Sequence, residues 1–99
     1  MVHPGRILLE SVLRPFEISQ NALAGAMGVP ARRINEIVLG KRAITADTAI
    51  GLEEVIGLPA RYWMALQADC DIAIARNGWD VRHPRRKAMR AIEDWSGTY

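Results

Sequence analysis

SQNALAGAMGVPARRINEIVLGKR, residues 19–42, decides how this chain is read. Ser19 is a good N-cap. Ile18 before it and Leu23 four positions into the helix have the spacing of a hydrophobic staple. Leu23, Ala24 and Met27 face inward. Gly28 stands where a left-handed residue ends a helix. Pro30 opens the next helix at its first position, where a missing N–H costs nothing. Ile34, Ile37 and Val38 then recur at i, i+3 and i+4, and Gly40 stops the helix. Two short helices joined by a tight turn describe a helix-turn-helix. Small Ala24 lets the helices approach, Val29 plugs the turn into the core, and Ile34 anchors the second helix.

The rest of the chain also reads as helical, so the expected class is all-α. No segment alternates with period two for long, and no Asn-Gly or Asp-Gly pair joins strand-like runs. Ile7, Leu8, Leu9, Val12, Leu13 and Phe16 predict a first helix with a broad apolar stripe. Pro15 ends it, because the residue before a proline avoids the helical region. Thr45 predicts the cap of a fourth helix, with Asp47 complementing its dipole. Ala49, Leu52, Val55 and Ile56 form its inner face, and Gly57 closes it. Pro59 opens a fifth helix with Tyr62, Trp63, Leu66, Cys70 and Ile74 along one side, ending at Gly78. Residues 1–78 are therefore expected to form one domain and 79–99 an extension, broken by Pro84. Met89, Ile92 and Trp95 predict one more short helix there.

Ninety-nine residues suffice for a single core of modest size. No run is apolar enough to span a bilayer, and "MVHPGRILLE" lacks the features of a signal peptide. Cys70 is the single cysteine, which fits a reducing cytoplasm. The net charge is +2. Its distribution is uneven: residues 41–71 hold three basic and five acidic side chains, and 72–99 hold six basic and three acidic. A near-neutral total leaves room for a local basic patch that binds nucleic acid.

Ala31, Arg32 and Arg33 form the first turn of the second helix of the pair, pointing away from the core. In a helix-turn-helix this turn enters the DNA major groove. An arginine fork pairs with both major-groove acceptors of guanine, each pair discriminating by roughly 1–3 kcal/mol. Asn35 and Glu36 lie one turn further on, and Asn35 suits an adenine or a phosphate. Gln20, at the start of the preceding helix, is placed to grip a phosphate. Lys41, Arg42 and Thr45 form a second phosphate-contacting cluster. Paired arginines alone describe a solvated helix face. The Gly28, Val29, Pro30, Ile34 and Ile37 pattern around them favours base readout.

Enzyme chemistry finds little support. His3 and His83 are far apart, with no cysteine or carboxylate at metal-ligand spacing. Adjacent Glu53 and Glu54 point about 100° apart on a helix and read as a solvated edge. No glycine-rich phosphate loop is present. Ser11, Ser19 and Ser96 lack a partnering histidine, and Cys70 reads as a small core or interface residue. No metal, cofactor or membrane contact is expected. The fifth helix is apolar on two sides: Trp63 and Leu66 on one, Ala65, Ala68, Ile72 and Ala75 on the other. A homodimer through Trp63, Ala65, Ala68, Ile72 and Ala75 is the economical solution, although Tyr62 and Trp63 beside Leu66 also read as core. The basic run Arg82–Arg90 is either a solvated tail near DNA or, with Trp79, Ile92, Trp95 and Tyr99, a docking segment.

"HPGRILLE" at 3–10 and "SQNALAGAMGVPARRINEIVLGKRAITADTAIGLEEVIGLPARYWMALQADCDIAIA" at 19–75 together resemble the HigA/VapI-type antitoxins, within the lambda-repressor-like helix-turn-helix superfamily. The resemblance covers about three quarters of the chain; "INEIVLGKRAITADTA" and "YWMALQ" are its most specific parts. It implies a five-helix domain with a short C-terminal extension. It further implies a bacterial cytoplasmic dimer that represses its own operon at an inverted-repeat operator and neutralises a HigB-type ribonuclease toxin by binding it. By position, Gln20, Arg32, Arg33 and Asn35 match the family's DNA-reading helix pair. Ala31 departs from the polar residue of many relatives, and Leu58 from the capping Ser or Thr common before the proline. A stand-alone repressor, or a toxin-binding protein whose DNA contacts are secondary, remains open at this level.

Overall fold

A computed structural model describes residues 2–82. The described residues hold five helices and no strand. Helix α1 (Pro4–Ile7) runs directly into a π-helical segment, Leu8–Leu13. It is followed by α2 (Gln20–Met27), α3 (Ala31–Val38), α4 (Ala46–Ile56) and α5 (Ala60–Arg82). The extension beyond residue 82, with the expected Met89, Ile92 and Trp95 seam and most of the basic run, lies outside the described residues.

Local chemistry sets each start. His3 caps α1, its Nδ1 accepting the Gly5 N–H at 2.9 Å. Ser19 Oγ accepts the Ala22 N–H at 3.0 Å to begin α2, and Thr45 Oγ1 accepts the Thr48 N–H at 3.3 Å to begin α4. Pro30 precedes α3 in an extended conformation (ψ 141°), so it occupies the cap position and not the first helical turn. Leu58 offers no cap for α5. A carboxylate from the preceding helix replaces it: Glu53 Oε1 accepts the Ala60 N–H at 2.7 Å. Glu53 is thus a capping group as well as an exposed edge.

One core gathers Leu8, Leu13, Leu23, Ile34, Ile37, Ile44, Leu52 and Trp63. The π-helical turn places Leu8, Val12 and Leu13 on one line, and all three are buried. Phe16 leaves that line and is 70 % exposed. The reason is the helix end: Glu17 takes a left-handed φ of 53° and Ile18 N–H bonds back to the Leu13 carbonyl at 2.8 Å. This closure turns Ile18 onto the core in place of Phe16.

Helix α5 departs most from the expectation. It continues through Gly78 to Arg82 without a break. Its first half packs on the core through Trp63, Gln67 and Cys70 (i, i+4, i+7), all buried. Its second half projects, with Ile72, Ile74, Trp79 and Val81 largely exposed.

Candidate nucleic-acid interface

The turn between α2 and α3 positions the site. Gly28 adopts φ 71°, which a side chain would oppose, and ends α2. The Val29 N–H then bonds to the Ala24 carbonyl at 3.0 Å, folding the chain back. Ile34 and Ile37 are fully buried and pin α3 by one side. At about 100° per residue the opposite side carries Arg32 and Glu36, with Arg33 and Asn35 on its flanks. Ala31, Arg32 and Asn35 are exposed; Arg33 and Glu36 are half-buried.

The two helices are also joined by polar groups. Asn35 Nδ2 donates to Gln20 Oε1 at 3.1 Å, tying the first residue of α2 to the middle of α3. The two side chains are therefore held together, Gln20 at the N-terminus of α2 and Asn35 in the middle of α3.

Gly40, at φ 74°, reverses the chain after α3, and the Lys41 N–H bonds to the Glu36 carbonyl at 2.8 Å. That reversal carries Arg42 back alongside α3. Arg42 Nη2 lies 2.9 Å and its Nε 3.0 Å from Glu36 Oε1. Arg32 Nε approaches Glu36 Oε2 at 3.4 Å. The hydrogen bond from Arg42, reinforced by Arg32, holds the Glu36 carboxyl below the usual carboxylate range. Pro30, Arg32, Arg33, Glu36 and Arg42 line a shallow polar depression. Lys41 is exposed on the same loop, and Thr45, capping α4, lies just beyond it.

Of the residues read as base- or phosphate-contacting, the fold thus brings together Gln20 with Asn35, and Arg32 and Arg42 with Glu36. The expected dimer residues divide. Ala65, Ala68, Ile72 and Ala75 form an exposed stripe along α5, and Trp79 extends it. Trp63 does not join them. It lies about 160° around the helix from Ala65, is 0 % exposed, and meets Tyr62 edge-on at 5.3 Å between ring centres. Trp63 is a core residue.

One positioning residue escaped the sequence reading. Gln67 is buried; its Oε1 accepts the Ile44 N–H at 2.8 Å and its Nε2 donates to Asp71 Oδ1 at 2.9 Å. It anchors the end of the loop that carries Lys41 and Arg42. The signal was a polar residue four positions after Trp63, in an inner row otherwise apolar. Among the described residues no cluster of three or more His, Cys, Asp or Glu is placed to hold a metal, and no helix is long and apolar enough to cross a membrane.

A family model for helix-turn-helix domains matches residues 9–63. Antitoxin HigA of Pseudomonas aeruginosa, solved with the higBA promoter, superposes with a TM-score of 0.82 at 36 % identity, covering 91 % of this chain and 97 % of that one. Virulence-associated protein I of Dichelobacter nodosus is 46 % identical over 74 residues, 75 % of this chain and 68 % of that protein. The chain belongs to the HigA/VapI-type helix-turn-helix antitoxin family. Antitoxin HigA-1 of Vibrio cholerae extends the likeness over 92 residues at 32 % identity, 93 % of this chain and 81 % of that protein. The HigA-type match therefore spans the recognition pair and helix α5 together.

Proposed function

We propose that this chain is a cytoplasmic DNA-binding antitoxin that represses its own operon and binds a HigB-type ribonuclease toxin. The observation that carries the DNA half is the first turn of α3, where Arg32 is exposed and Arg33 half-exposed while Ile34 and Ile37 are fully buried. Arg32 and Arg33 act as the base readers, joined by Asn35 and bordered by Ala31 and Glu36. Gln20, Lys41, Arg42 and Thr45 hold phosphates on either side. Ala31 brings only a methyl group to the groove, which suits a thymine methyl and forgoes a hydrogen bond. The chain acts by binding and carries out no chemistry of its own.

The toxin half is supported by the names of the HigA relatives. The homodimer is supported by the outer stripe of α5: Ala65, Ala68, Ile72 and Ala75 bring small and apolar side chains to a surface with no other cover among the described residues. Small residues let two such helices approach closely. Two α3 helices related by a two-fold axis would read an inverted repeat.

The test is an operator titration at fixed salt. Arg32→Ala and Arg33→Ala should each cost roughly 1–3 kcal/mol on the cognate site while leaving the circular dichroism spectrum unchanged. Wild-type affinity in both variants would show that α3 does not read DNA. Co-purification of the chain with the product of the adjacent small open reading frame separates an antitoxin from a stand-alone repressor.

A further inference from the structure

Glu36 puts a negative charge at the centre of a surface built for phosphates. A free carboxylate there repels the DNA backbone and lowers sequence-independent affinity, which comes from cations neutralising phosphates. Its side chain is only 25 % exposed and both oxygens are engaged, Oε1 by Arg42 and Oε2 by Arg32. Arg32 lies in the first turn of α3 and Arg42 beyond its end, so one carboxylate joins the two ends of the recognition element. The three groups together carry a single net positive charge.

We infer that Glu36 is a positioning residue that fixes the Arg32 and Arg42 guanidiniums against α3, trading sequence-independent grip for discrimination between DNA sequences. This rests on the DNA-binding reading above. A free Arg32, 86 % exposed on a long flexible stem, would reach any nearby phosphate. The Glu36 carboxylate, 3.4 Å from its Nε and one turn further along the same helix, favours a conformation laid along α3. Arg42, held by two contacts, is kept at the loop where a phosphate passes. Arg33 and Lys41, without ion pairs among the described residues, supply the unrestrained charge.

Glu36→Gln tests this in the full chain, since it keeps the side chain's shape and removes its charge. Random-sequence DNA should bind more tightly, and the slope of log K against log salt should steepen by about one. The cognate-to-random affinity ratio should fall by roughly five-fold or more, the lower end of what one well-placed arginine discriminates. In the free protein, the 15N-resolved Arg42 Nε–H resonance should be distinct in the wild type and averaged in the variant. An unchanged ratio and slope would overturn the inference. So would a variant that loses affinity only at a cytosine-containing half-site with random binding unchanged, since that is a carboxylate accepting from a base amino group. An Arg42 signal already averaged in the wild type would overturn it without any DNA measurement. Failure of the wild type to bind any DNA would instead remove the proposed function, and this inference with it.

Discussion

The outer side of α3 and the outer side of α5 are both exposed, yet they are built from opposite chemistry. On α3 the exposed positions are Arg32 and Asn35, beside half-buried Arg33 and Glu36, over a buried pair of isoleucines. On α5 they are Ala65, Ala68, Ile72 and Ala75, over a buried Trp63 and Gln67. A polar face whose donors are fixed by neighbouring side chains suits a ligand rich in acceptors, such as DNA. A face of small and apolar side chains suits another protein surface. Exposure alone says nothing of the partner; what stands exposed does.

Two substitutions on α5, one on each side, sharpen this contrast. Trp63→Ala should cost about 3–5 kcal/mol of folding stability by opening a cavity in the core, read as a lowered midpoint in urea. Retained stability would mean that Trp63 is not a core residue. Ile72→Glu should leave the monomer's stability within about 0.5 kcal/mol, because Ile72 is 51 % exposed. It should nevertheless give monomers by light scattering and abolish operator binding, although Ile72 lies on α5 and not on the recognition helix. A variant that stays dimeric would move the dimer contact elsewhere. On the polar side, Lys41→Ala should act least. It should weaken cognate and random DNA about equally and reduce the magnitude of the salt slope by about one. A loss confined to one sequence would give Lys41 a base-reading role.

The recognition pair was legible because local rules agree there. Ser19 caps, Gly28 turns and Ile34 and Ile37 repeat at helical spacing, so neighbouring residues alone specify the element. Phe16 was misplaced because a π-helical turn and a left-handed Glu17 shift the register, and regular helix periodicity contains neither. The capping role of Glu53 and the bond from Gln67 to Ile44 were hidden for another reason. Each joins segments distant in sequence, seven and 23 residues apart. Trp63 was ambiguous since α5 is apolar on two sides, and only the packing of α1 and α4 decides which side is inner. At the interface, the residue types pointed to DNA, whereas the Gln20–Asn35 bond and the Arg32–Glu36–Arg42 cluster required the fold.

In the proposed dimer, two copies of α3, paired through α5, read adjacent major grooves. Hydroxyl-radical footprinting of the wild-type chain on the DNA upstream of its own gene tests it most directly. Two protected half-sites are expected in inverted orientation, with centres about 34–36 Å apart, one helical turn of DNA. A single unrepeated half-site, or no protection at concentrations that saturate the dimer, would contradict it.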